Sequence, residues 1–159
     1  MKKTFFSMLA FALIITACSS TTSTPLPPIT TATTPKETGQ PVQSADGKVQ
    51  VQVTEGDNWI KSDLTTFKVG VTYVFTITNT GRRNHIFSIS QPITDKTASG
   101  IDAAKKDALL FVSQDQLSPS AVVTVEHTFT EPAPAGTLEF ACLVIMHYKM
   151  GQYLPIVVE

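Results

Sequence analysis

From Val49 onward, apolar side chains recur at every second position in short runs. Val49, Val51 and Val53 make a first run, and Val71, Tyr73, Phe75 and Ile77 a second that stops at the turn sequence Asn79-Thr80-Gly81. His85-Ile86-Phe87-Ser88-Ile89-Ser90 alternates again. Val123, Val125, His127 and Phe129 form one face of a further strand, with Thr124, Glu126 and Thr128 opposite, and Thr137–Val144 and Tyr153–Val158 supply two more. Regular short strands separated by turns predict an all-β domain, a sandwich or a small barrel.

One stretch departs from this period. Ile101–Val112 (IDAAKKDALLFV) carries apolar residues at helical spacing with Lys105, Lys106 and Asp107 facing away, which predicts one short helix inserted between strands. Pro92 before it and Ser118-Pro119-Ser120 after it bound the insertion. The sequence from 46 to 159 is one domain's worth of chain, with no internal repeat and no phosphate-binding loop.

The N-terminal part reads differently. Met1-Lys2-Lys3 precedes an apolar run from Phe5 to Ile15, which suits a signal-peptide core and is too short to span a bilayer. Its end, Ile15-Thr16-Ala17-Cys18, resembles the lipobox of bacterial lipoproteins, which implies cleavage after residue 17 and lipidation of Cys18. The alternative is an ordinary cleaved signal with an incidental cysteine. From residue 18 to 45 the chain is Ser, Thr and Pro with almost no large apolar side chains. Such a segment cannot offset its ordering entropy by burial, so a disordered tether is expected, with a coil-like reach of about 30 Å.

Composition narrows the chemistry. The net charge of −1 gives no electrostatic case for a nucleic-acid partner. There are two cysteines, and in an oxidising compartment a Cys18–Cys142 disulfide is the default pairing. Lipidation would take Cys18 out of it and leave Cys142 a lone exported thiol in need of a role.

That role is suggested by its neighbours. Cys142 and His147 lie five positions apart at the end of one strand and before the next, a spacing that lets both side chains turn toward one point. His85, after Asn84, opens a strand far upstream. A thiolate with two imidazoles is a soft, nitrogen-rich donor set that suits copper and not magnesium or calcium. Taken singly, His85 reads as a solvated turn residue and Cys142 as a small core hydrophobe. His127, on a strand, reads as a partly buried or surface histidine, and Trp59 as a packing residue.

Asn79-Thr80-Gly81 followed by Asn84-His85-Ile86-Phe87, and later Cys142-x4-His147, resembles the cupredoxins, the blue or type 1 copper proteins. The resemblance covers 49–159 and implies a cupredoxin-like Greek-key β-sandwich holding one type 1 copper ion, with His85, Cys142 and His147 as equatorial ligands. Counting on from His147 places Gln152 at the axial position, as in the stellacyanin branch, with Met150 as the rival. The resemblance also implies that Asn84 ties the two ligand loops together. It further implies that His147, with Ile145, Met146 and Tyr148, forms the electron port. The chain departs from the family in having Ile145-Met146 where Pro-Gly is common, and Leu143 where Ser or Thr is common.

The expectation is an exported, membrane-anchored one-electron carrier, monomeric, docking transiently with redox proteins and not an enzyme. Two other readings stay open: a periplasmic copper-binding protein for delivery, storage or sensing, and a metal-free β-sandwich lipoprotein. Ser19 after Cys18 leans toward an outer-membrane anchor.

Overall fold

The computed structural model describes residues 43–44 and 46–159. The signal segment, Cys18 and almost all of the expected tether lie outside the described residues. Among the described residues, nine strands and two short helices follow in the order β1 (Val49–Gly56), β2 (Trp59–Ser62), β3 (Thr66–Phe67), β4 (Thr72–Asn79), β5 (Phe87–Ser90), α1 (Ala98–Asp107), β6 (Leu110–Val112), β7 (Val122–Thr128), β8 (Ala133–Ala141), α2 (Ile145–Lys149) and β9 (Tyr153–Val158).

The strands form two sheets, in the orders β2-β1-β4-β7 and β3-β9-β8-β5-β6. Two pairings are parallel, β1 with β4 and β3 with β9; the remaining pairs are antiparallel. Period-2 alternation sends one face of each strand inward. Val51, Val53, Phe75 and Ile77 come from the first sheet, and Phe87, Ile89, Phe140 and Ile156 from the second, and all are buried in one cluster. The sheets meet through aromatic rings: Phe75 lies 5.7 Å from Phe140 edge-on, and Phe67 4.9 Å from Tyr73. Offset and edge-to-face geometry at these separations is the favourable one for aromatic pairs.

The inserted helix is shifted from its expected place. It begins at Ala98, capped by the Thr97 hydroxyl accepting from the Gly100 N–H, and ends at Asp107. Leu110-Phe111-Val112, expected to continue it, instead pairs with Phe87–Ile89 as an edge strand. Phe111 and Val112 favour extended backbone, and beside an open strand edge the tripeptide gains more from the ladder than from one further helical turn. Strands β2 and β3 are too short to show a period and were not expected. Nor was α2, which follows Cys142 and contains His147.

Candidate metal centre

Three elements converge at one end of the sandwich. His85 lies between β4 and β5, where its N–H donates to Leu117 O at 3.1 Å. The loop is shaped by Asn79, whose side-chain nitrogen donates to Arg83 O (2.8 Å) and Leu117 O (3.0 Å) while its oxygen accepts from the Gly81 N–H (2.8 Å). Cys142 follows β8 and its N–H donates to Gln152 O at 3.0 Å; the Gln152 N–H donates to His147 O at 3.1 Å. These two bonds fold α2 back over the sheet end, carrying His147 to the thiol.

The result is a compact triangle. Cys142 Sγ lies 3.5 Å from His147 Nδ1 and 3.7 Å from His85 Nδ1, and the two Nδ1 atoms are 3.2 Å apart. All three residues are buried. A point equidistant from three atoms with these spacings is about 2 Å from each, the length of a metal–nitrogen bond and a little under a metal–thiolate bond. His85, Cys142 and His147 thus form a candidate type 1 copper site, and the donor set is the soft His₂Cys kind that copper favours.

Burial sets the protonation states. It lowers the pKa of both histidines, helped at His85 by a charge on His147 and at His147 by Arg83, so both rings are neutral with lone pairs to offer. The Cys142 thiol is pushed up to about 12, mainly by burial and then by the nearby Glu55 carboxylate. Metal uptake therefore displaces a proton from the thiol. The Ile86 N–H donates to the sulfur at 3.4 Å, and it and the Val144 backbone are placed to stabilise its charge.

The other expected residues divide. Gln152 is fully buried, and its side-chain nitrogen lies 3.0 Å from His85 Nδ1 while donating to Gly56 O at 2.9 Å and Glu55 Oε2 at 3.3 Å. Its side-chain oxygen has no hydrogen-bond partner. Met150 caps the end of α2 and is 52% exposed. Asn84 donates to Gln114 O at 3.4 Å, and Asn79 ties the His85 loop to the segment at Leu117. Met146 is exposed and Ile145 half-buried. Tyr148, expected beside them, is turned inward: its hydroxyl donates to Glu139 Oε1 at 2.6 Å and accepts from the Ile93 N–H at 2.8 Å. A phenol with two buried partners does not leave them for the surface. His127 packs edge-on against Phe129 at 4.7 Å, away from the triangle. Trp59 is 40% exposed, and its indole crosses over Gly56, where a Cβ would sit 2.3 Å from the ring.

Two acidic residues of the site were not anticipated. Glu55 is completely buried, with Oε2 4.0 Å from His85 Nδ1 and Oε1 unpartnered. Asp57 Oδ1 lies 3.6 Å from His85 Nε2. Glu55 did leave a signal in the sequence, since it falls on the inward phase of Val51 and Val53. A carboxylate at that phase is a break in pattern with a functional cause.

Solved structures share this architecture. An auracyanin from Roseiflexus castenholzii is 20% identical, covering 69% of this chain and 96% of its own, with a TM-score of 0.53. Rusticyanin from Thiobacillus ferrooxidans is 17% identical over 70% of this chain and 77% of its own, at 0.54. Auracyanin A from Chloroflexus aurantiacus, described as a "blue" copper protein, is 18% identical over 71% and 100%, at 0.51. No protein-family model and no curated protein matches the chain. The chain has the cupredoxin fold, with two sheets and only short helices.

Proposed function

We propose that this protein is an exported type 1 copper protein that carries single electrons. The reading is carried by one observation: two imidazole nitrogens and one thiol sulfur, all buried, held within 3.7 Å of one another by three separate elements of a cupredoxin fold. His85, Cys142 and His147 hold the ion, and Gln152, whose side-chain nitrogen lies 3.0 Å from His85 Nδ1 and whose amide oxygen is unpartnered, supplies the fourth donor when the amide turns that oxygen to the ion. Copper supplies the one-electron couple when bound. The chain's contribution is a donor triangle that the sandwich fixes in place, which limits rearrangement between oxidation states. The carrier is tethered to a membrane through lipidated Cys18, as the sequence implies, and functions as a monomer without catalysing a reaction.

Electrons enter and leave through the His147 edge. Its ring is 4% exposed and sits on α2 beside the exposed Met146, an apolar setting suited to a small, transient contact with redox proteins. A second reading, copper delivery, is favoured by Met146 on α2 and Met150 at its C-cap, 56% and 52% exposed, whose thioethers are soft donors for Cu(I).

Cu(II) titration of the purified domain tests the proposal. A strong visible thiolate charge-transfer band is expected, absent in Cys142→Ser, with reversible one-electron cycling. A colourless, copper-free domain would end the carrier reading, whereas ready loss of copper to a chelator would shift it to delivery.

A further inference from the structure

His85 presents Nδ1 to the donor triangle, so the ring proton belongs on Nε2. That atom is buried and has no hydrogen-bond partner. The nearest acceptor is Asp57 Oδ1 at 3.6 Å, slightly beyond a formed N–H···O bond. The carboxylate is not there by accident of a mobile side chain: the same oxygen accepts the backbone N–H groups of Arg82 (2.8 Å) and Arg83 (3.2 Å). Gly81 makes the approach possible. A Cβ at this position would lie 2.5 Å from Asp57 Oδ1 and 2.8 Å from His85 Nε2, so any side chain there would wedge the two apart. Glu55, the other carboxylate facing the ring, lies on the Nδ1 side and cannot serve Nε2.

We propose that Asp57 is a positioning residue for the metal centre, taking the Nε2 proton of His85 so that one tautomer and one ring orientation keep Nδ1 aimed at Cys142 and His147. The inference rests on the copper reading for its consequences but not for its measurement. A carboxylate behind a ligand imidazole fixes the tautomer and raises ligand basicity, which favours the more highly charged oxidised ion. Backbone hydrogen bonds hold the Asp57 pKa low, so the acceptor is charged at neutral pH.

The first experiment needs no copper. Long-range proton–nitrogen correlation spectra of the metal-free protein should show His85 wholly as the Nε2–H tautomer, with Nδ1–H appearing in Asp57→Ala. Asp57→Asn retains an acceptor for Nε2–H and for the two backbone donors but removes the charge. It should keep the tautomer while lowering the ratio of Cu(II) to Cu(I) affinity severalfold, and Asp57→Ala should weaken Cu(II) binding about 10- to 100-fold. An unchanged tautomer in Asp57→Ala overturns the proposal. So does an affinity ratio within twofold of wild type in Asp57→Asn. If the wild-type chain binds no copper, the carrier reading fails, and the tautomer measurement still decides the role of Asp57.

Discussion

A side chain's environment decides whether it can be a ligand. Histidine and cysteine are ordinary residues in this sequence, and it is burial that keeps the rings neutral and the thiol protonated until a metal takes its place. At the fourth position a carboxamide oxygen is a harder donor than a thioether and favours Cu(II). Gln152→Met should therefore raise the reduction potential by roughly 60 mV or more, about a tenfold shift in a one-electron equilibrium. Protein-film voltammetry reads this directly, and an unchanged potential would move the axial assignment away from Gln152. Glu55 makes the opposite kind of prediction. Burial raises its pKa well above the usual 4.5, and no cation compensates it among the described residues. For a raised carboxyl pKa, the folded state holds the proton more tightly than the unfolded one. The stability it contributes is complete below the unfolded value and is lost as pH rises through the folded value. As pH rises above 4.5, the melting temperature of the metal-free domain should fall more steeply in wild type than in Glu55→Gln, which keeps the volume and loses the proton equilibrium.

Among the elements, α2 carries most of the functional weight for its five residues. It delivers His147 to the triangle, buries Tyr148 as an anchor on Glu139 and Ile93, and leaves Met146 outside. Anchor and exposed face are thus separated by position along one turn. Met146→Lys should slow electron exchange with a partner by about tenfold at low ionic strength if the partner face is apolar or basic, with the copper spectrum unaltered. Stopped-flow mixing against a soluble redox protein, with absorbance recorded on the isolated variant, separates the two effects. A changed spectrum would mean that Met146 supports the site rather than the docking face.

Across the whole molecule, the core is what makes the triangle rigid. Phe75 packs against Phe67, Phe87 and Phe140, so it binds the first sheet to the second within the main core. Phe75→Ala should cost about 3–5 kcal/mol of unfolding free energy in chemical denaturation of the metal-free domain. Bound copper should recover part of the loss by mass action, because the ion binds only the folded arrangement. A loss under 1 kcal/mol would show that the two sheets hold together without this ring.

The strands of the core were legible because alternation is a local property. Tyr73, Phe75 and Ile77 cannot all be buried unless that segment is extended. Cys142 and His147 were legible as a pair because their spacing is short. The edge strand β6 and the helix α2 were not, since a few residues carry no period and their conformation is set by the partner they find. The bonds of Asn79 to Arg83 and Leu117, the inward turn of Tyr148 and the two carboxylates flanking His85 belong to the same class.

The sequence alone therefore determined the all-β framework, the phase of β1, β4 and β7 and the three candidate donors. It did not determine that Glu55 and Asp57 stand on opposite sides of one imidazole, or that Gly81 leaves room for it. Those placements depend on contacts between segments roughly 25 to 100 positions apart, as in His85 with Asp57 and Gln152 with Glu55. Periodicity reports which way a side chain faces; only the folding of two sheets onto each other decides what it meets there.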